Sequence, residues 1–299
     1  MRGNNKRGTM KFAIFGNSYQ AKKSASIRSV LECLREYGAD ICMDSEFYRF
    51  LVDTQHISIS AVDVFRGDDF DADFVISMGG DGTFLKSASR VGGKGIPIIG
   101  VNMGRLGFLA DISPSGFRTC LQSLYEGDYK TDTRTVMRVT SEDGTFEDGD
   151  CALNDVAILK RDNASMITIH ATIDGEYLTT YQADGLVVST PTGSTAYSLS
   201  NGGPIIVPGT NVLSLVAVAP HSLNTRPIVI ADTSTVSLRV ECRSQHYLVA
   251  IDGRSEICRA GSTVTVCRAP YDVKIVKRKD MRYFSTLREK MMWGADKRE

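Results

Sequence analysis

The chain has 299 residues, 42% hydrophobic and 23% charged, which is enough apolar material for one large or two moderate domains. Lys+Arg and Asp+Glu each number 35, so the formal net charge is zero and the basic excess typical of duplex-DNA binding is missing. No apolar stretch is long enough to span a bilayer, and the N-terminal MRGNNKRGT lacks the apolar run of a secretory leader, so neither membrane insertion nor export is expected and Met10 is an alternative start.

Lys11–Gly16 is a short apolar run ending in glycine, predicted as the first strand of a parallel sheet. From Ser24 to Tyr37, Ile27, Val30, Leu31 and Leu34 recur three or four apart, which predicts a helix. Asp73–Met78 reads as a second buried strand, followed by a glycine-rich turn, a helical stretch from Thr83 to Arg90 and a third strand at Ile96–Val101. This alternation predicts an α/β domain with a Rossmann-like parallel sheet over residues 10–130. Over residues 131–280, β-branched runs such as Met166–His170, Thr235–Val240 and Ser262–Val266 are separated by turn signals, including Asp174-Gly175 and Asp252-Gly253. They predict a β-rich second domain of hairpins, with a ligand site between the two domains. Residues 281–299 form a last segment, helical from about Tyr283 to Trp293, expected to pack back on the N-terminal domain rather than to bind ligand.

Gly79-Gly80-Asp81-Gly82-Thr83 joins a predicted buried strand to a helix, which puts it at the carboxyl end of a strand, where open α/β sheets bind ligands. Gly79, Gly80 and Thr83 are candidate phosphate contacts, because glycines admit phosphate oxygens to the backbone and a helix N-terminus offers N–H groups to anions. A carboxylate there needs another task. Asp81 either takes a proton from a hydroxyl nucleophile or holds a divalent cation, and an ordinary helix cap is the plain alternative.

The segment Ala183–Pro204 (ADGLVVSTPTGSTAYSLSNGGP) runs an apolar strand into a hydroxyl-rich turn and a short helix. Such a turn offers donors to phosphate or ribose, Tyr197 offers a ring to an adenine, and Asp184 offers an acceptor to a ribose or an adenine amine. An ordinary Ser/Thr loop with Tyr197 in the core is the alternative. The seven cysteines (33, 42, 120, 151, 242, 258 and 267) show no zinc-knuckle or thioredoxin-like spacing and read as packing thiols of a reducing compartment, here the cytoplasm. His56, His170 and His246 have no legible carboxylate or cysteine partner, so no metal-ligating set is assigned; His221 reads as structural or catalytic.

GGDGT, Gly100–Leu109 (GVNMGRLGFL), Asn154-Asp155 and DGLVVSTPTGSTAYSLSNGGP, in that order, resemble the motifs of the NAD kinase family from about Met10 to Trp293. GGDGT alone is weak, since 6-phosphofructokinases and diacylglycerol and sphingosine kinases share it; the other two long motifs are far more specific. The resemblance implies the NAD kinase/diacylglycerol kinase-like fold, with NAD held between an α/β and a β-rich domain. It implies ATP or polyphosphate as phosphate donor, a divalent cation such as Mg²⁺, and a homodimer or homotetramer. It further implies that Asp81 is the general base for the adenosine 2′-hydroxyl, that Gly82 lies against the nucleotide, that Phe108 walls the adenine pocket and that Asn154 bonds the nucleoside. Asp155, Asp184, Thr192, Thr195, Ala196, Tyr197, Ser198, Leu199 and Ser200 would line the remaining dinucleotide site. Two positions depart from the family: Asp155 replaces the usual glutamate, and Arg254 stands where many bacterial members have glutamine, either meeting a phosphate or lying solvated on a hairpin. The rival readings are a non-catalytic nucleotide sensor and a kinase of a lipid or sugar phosphate.

Overall fold

The computed structural model describes residues 9–17, 24–59, 62–104, 106–144, 146, 149–161, 165–277, 279 and 282–292; the MRGNNKRG start, Arg105 and Trp293 lie outside the described residues. The chain divides into two compact units, the first running to Asp132 and resuming at Val273, the second covering Thr133–Asp272.

In the first unit, β1 (Lys11–Gly16), β2 (Asp40–Asp44), β3 (Asp63–Phe65), β4 (Phe74–Gly79) and β5 (Ile98–Asn102) form a parallel sheet in the order β3-β2-β1-β4-β5. Near the end of the chain, Ile275 extends it beyond β5 by pairing with Ile98. All six residues of β4 and all five of β5 are buried, as continuous apolar runs covered on both faces require. Helices α1 (Ser24–Glu36), α2 (Ser45–Arg49), α3 (Asp81–Val91) and α4 (Phe117–Tyr125) connect the strands. The predicted stripe on α1 is buried, and with Phe12, Ile14, Met43, Ile76, Ile99, Phe117 and Leu121 it makes this unit's core. Each such side chain contributes roughly 1.5–3 kcal/mol on leaving water. Strand order reverses between β1 and β4, so the ends at Gly16 and Gly79 flank the topological switch point, where ligands bind in such sheets.

The sequence placed the second domain's end at residue 280, whereas the second unit ends at Asp272. The physical reason is burial: Val273, Ile275 and Val276 are at most 3% exposed, and Val276 belongs to the first unit's core. The C-terminal helix (Tyr283–Met291) is part of the same unit.

Among its described residues the second unit is β-rich, with a 3-10 turn at Gly193–Thr195 and a short helix at Tyr197–Ser200. Strands β6 (Lys130–Ser141) and β7 (Cys151–Ala152) pair with each other, followed by β8 (Asp155–Lys160), β9 (Ile167–Ile173), β10 (Glu176–Ala183) and β11 (Gly185–Ser189). Then come β12 (Val212–Val218), β13 (Ile228–Ala231), β14 (Val236–Glu241), β15 (His246–Ile251), β16 (Arg254–Arg259) and β17 (Thr263–Lys277). One antiparallel sheet has the order β13-β12-β11-β8-β15-β16; in the other, β10, β9, β14 and residues 263–266 of β17 pair antiparallel. Their inward residues, among them Val156, Ile158, Leu186, Val188, Ile169, Leu238 and Val264, share one core. Both Asp-Gly signals are two-residue hairpins: Asp174 and Gly175 (φ 52° and 84°) join β9 to β10, and Asp252 and Gly253 (φ 48° and 82°) join β15 to β16.

Candidate active site

Strand β4 ends at Gly79, Gly80 caps α3 in an extended conformation, and Asp81 is the first helical residue. Asp81 is therefore not the cap. Its carboxylate turns to the loop after β5: Oδ1 accepts the amides of Leu109 and Ala110, each at 3.0 Å, and Oδ2 accepts that of Phe108 at 2.9 Å. Lys290 of the C-terminal helix donates to Oδ2 at 3.1 Å, with its ammonium 4.2 Å from the centre of the Phe108 ring. The loop fits only because residue 107 has no side chain: a Cβ there would stand 2.0 Å from Asp81 Oδ1. The loop also bonds to itself and to β4, through Gly107 N to Ala110 O, Met103 N to Gly79 O, and Gly104 N to Asn102 Oδ1.

Burial pushes the Asp81 carboxyl up, but the Ala110 and Phe108 amides and the Lys290 charge outweigh it, so the group sits below its ordinary value. It is an oriented, ionised carboxylate, 28% exposed, at the switch point. Beside it, a side chain at Gly80 or Gly82 would meet nothing within 4 Å, so the backbone there is open to approach. The first bonds of the helix, from Thr83 and Phe84 to Gly80 O, lie beyond the Asp81 and Gly82 amides. Gly79 and Thr83 are buried, which sets them apart from Gly80 among the candidate phosphate contacts.

In the second unit a different aspartate does similar work. Asp252, in the hairpin turn, accepts the amides of Leu153 (2.8 Å), Asn154 (2.8 Å) and Asp155 (3.2 Å). Thr190 closes the other side: its Oγ1 donates to Leu153 O at 2.6 Å and its amide to Asn154 O at 2.9 Å. Gly193 passes so close that a Cβ would lie 2.1 Å from Asn154 O. The backbone of Asn154 is thus fully engaged, while its side-chain Oδ1 is buried with no hydrogen-bond partner among the described residues. Asp155 is buried and pushed up to about 7, first by burial and then by the charge of Asp252, with the Tyr197 amide opposing. Burial raises Asp252 as well, with the Leu153, Asn154 and Asp155 amides and the Arg254 charge opposing it.

The hydroxyl-rich loop turns several of its hydroxyls inward. Ser194 Oγ donates to Pro191 O at 2.7 Å and accepts Ile206 N, Thr190 Oγ1 accepts Gly193 N, and Ser189, Thr190, Ser194 and Ser198 are fully buried. Thr192, also buried, meets Arg134 Nη1 at 3.4 Å. Tyr197, at 39% exposure, lies on the surface rather than in the core, and Ser200 is exposed; Thr195, Ala196 and Leu199 are half-buried. Tyr197–Ser200 is the short predicted helix (α5). Asp184 lies at the opposite end of β11, roughly 15 Å along a five-residue strand, and pairs with Lys160 at 2.7 Å. The structure therefore brings Asn154, Asp155, Thr192 and Tyr197 to one end of this sheet and leaves Asp184 at the other.

Other expectations need correction. Arg254 is not simply a solvated hairpin residue: its Nη2 donates to Cys151 O at 3.0 Å and its Nε to Ile251 O at 3.2 Å, bracing the strand before Asn154. His170 does have a carboxylate partner, Glu241 at 3.4 Å on the neighbouring β14, which only cross-strand pairing reveals. His221 is exposed. The C-terminal helix does more than pack, since Lys290 reaches Asp81. Sequence reasoning missed Lys290 and Asp252 as organisers; the second stood in plain view as a turn signal.

Residues 12–129 match the ATP-NAD kinase N-terminal domain and residues 153–278 the ATP-NAD kinase C-terminal domain. The NAD kinase of Bacteroides fragilis is 54% identical over 289 residues, covering 97% of this chain and 100% of its own. That of Porphyromonas gingivalis is 40% identical over 285 residues, covering 95% and 98%. In fold, the chain is similar to yeast NADH kinase complexed with NADH (TM-score 0.86, 20% identity, 96% of this chain and 89% of that one). It is likewise similar to an NAD kinase from Archaeoglobus fulgidus in complex with ATP (TM-score 0.73, 24% identity, 95% and 99%). The chain belongs to the NAD kinase family.

Proposed function

We propose that the chain transfers the terminal phosphoryl group of ATP to the 2′-hydroxyl of the adenosine ribose of NAD, giving NADP, with Asp81 taking the hydroxyl proton. The observation that carries this reading is an ionised carboxylate fixed by three successive amides beside the open backbone of Gly80 and Gly82. Identity to NAD kinases over nearly the whole chain supports it, as do the NADH and ATP of the two solved proteins of this fold.

Phosphoryl transfer depends chiefly on positioning and on neutralising charge. The 2′-oxygen bonds to the γ-phosphorus while its proton passes to Asp81, and the bond from phosphorus to the bridging oxygen breaks with its electron pair leaving on ADP. The Gly80–Gly82 backbone meets the phosphate oxygens. Asn154 Oδ1, a buried acceptor without a donor among the described residues, suits an N–H or O–H of the nucleoside, and Tyr197 offers its exposed ring as a stacking face.

The divalent cation neutralises triphosphate charge in such chemistry, but the residues do not fit a protein-held ion. Asp81 has donors on both oxygens, and no group of three His, Cys, Asp or Glu among the described residues converges on one point. The cation is accordingly read as part of the donor complex. Two further parts of the reading are a cytoplasmic location and a homo-oligomeric state; no helix among the described residues is long and apolar enough to cross a membrane.

The test is incubation of purified protein with NAD, Mg²⁺ and either ATP or polyphosphate, with NADP measured by an NADP-specific dehydrogenase. NADP formation with one donor is expected. Tight NAD binding without product would favour a nucleotide sensor, and a product from a lipid or sugar alcohol alone would favour a different kinase.

A further inference from the structure

A carboxylate offers about four lone-pair sites to donors. At Asp81 all four are taken: Leu109 and Ala110 on Oδ1, Phe108 and Lys290 on Oδ2. An acceptor hydroxyl that is to give Asp81 its proton must occupy one of them. Three belong to backbone amides of a loop tied to itself and to β4, and displacing those would unmake the loop. The fourth belongs to a flexible lysine whose ammonium already rests against the Phe108 ring, a face that attracts a cation when its carboxylate partner is lost.

We propose that Lys290 is a positioning residue for the transfer reaction: its ammonium orients the Asp81 carboxylate and yields its place on Oδ2 to the acceptor hydroxyl. The inference rests on the reading of Asp81 as the proton acceptor. It makes the C-terminal helix a working part of the site, 209 residues from the motif it serves. Asp111, which follows the loop, is paired with Lys277. Lys290 is then the charged side chain that sets the state of Asp81, working with the amides against burial.

The experiment is a carbon-13 titration of aspartate carboxyls in the full chain, with the Asp81 signal assigned by its loss in Asp81→Asn, alongside steady-state kinetics of Lys290→Met, Lys290→Gln and Lys290→Arg. Loss of the ammonium in Met or Gln is expected to raise the Asp81 midpoint and to lower kcat roughly 10- to 100-fold, as loss of alignment does. KM for NAD should change less than about twofold. Arg is expected to restore the low midpoint and most of kcat. A merely structural lysine would leave kcat unchanged while the melting temperature fell. An unmoved midpoint or an unchanged kcat in both Met and Gln overturns the proposal. Should Asp81→Asn keep full turnover, the reading of Asp81 itself fails, whatever Lys290 does. Should Asp81→Asn be inactive while Met and Gln match wild type in both measures, only the role of Lys290 fails.

Discussion

Asp81 and Asp252 solve one problem in two units of the chain. Each accepts three consecutive backbone amides, Phe108–Ala110 in one case and Leu153–Asp155 in the other, and so fixes the loop that carries the candidate ligand groups. The neighbours differ. Asp81 has the Lys290 ammonium on its remaining lone pair and is held ionised. Asp252 has a second carboxyl, Asp155, which burial and the Asp252 charge push up to about 7. The lesson is that amides set the shape of such a turn, while the next side chain sets its protonation. One site suits a proton acceptor, and the other presents a carboxyl that is half protonated near neutral pH.

The largest expected effect tests whether the two clamps are equally structural. Asp252→Ala strips three amides of their acceptor and puts alanine at a φ of +48°, which should cost about 3 kcal/mol or more by chemical denaturation. A loss under about 1 kcal/mol would mean that the amides find water instead. Gly107→Ala probes the other clamp. With a Cβ 2.0 Å from Asp81 Oδ1, the loop must shift, at about 1–3 kcal/mol of stability. Turnover should fall with it, and unchanged kinetics would show that Asp81 does not need its amides in place.

The smallest effect separates the two protonation states. An unfolded aspartate loses its proton near pH ~4, whereas folded Asp155 does so at about 7. Between those values the folded state holds the extra proton, so stability falls as pH rises through that window and levels off above it. Asp155→Asn removes that loss. It should be more stable than wild type above pH 7, on the order of 2 kcal/mol or roughly 2–4 °C per kcal/mol in melting temperature, with the gap closing toward pH 4. A gap that is constant with pH would place the Asp155 proton elsewhere.

The α/β frame was legible because β1, β4 and β5 are unbroken apolar runs and α1 has a clean buried stripe. Asp81 stood out because a carboxylate among glycines after such a strand is unusual, with a helix cap as the plain alternative. Its restraint did not, because the amides lie 27 to 29 residues on and Lys290 lies 209 on, distances that no local pattern spans. The hydroxyl loop misled in detail for a related reason: composition counts hydroxyls, but only packing shows that Ser189, Thr190, Ser194 and Ser198 face inward. The β-rich unit was readable as hairpins, yet the pairing of β9 with β14, and with it His170 against Glu241, follows from sheet order alone.

The most direct measurement of the central claim is a single-turnover comparison of wild type with Asp81→Asn, each saturated with NAD and mixed with ATP and Mg²⁺, with NAD affinity measured separately by calorimetry. A positioned base contributes about 10²–10⁴-fold, so the variant should bind NAD nearly as wild type does and form NADP slower by that factor. Equal rates of NADP formation in the two proteins would contradict the account.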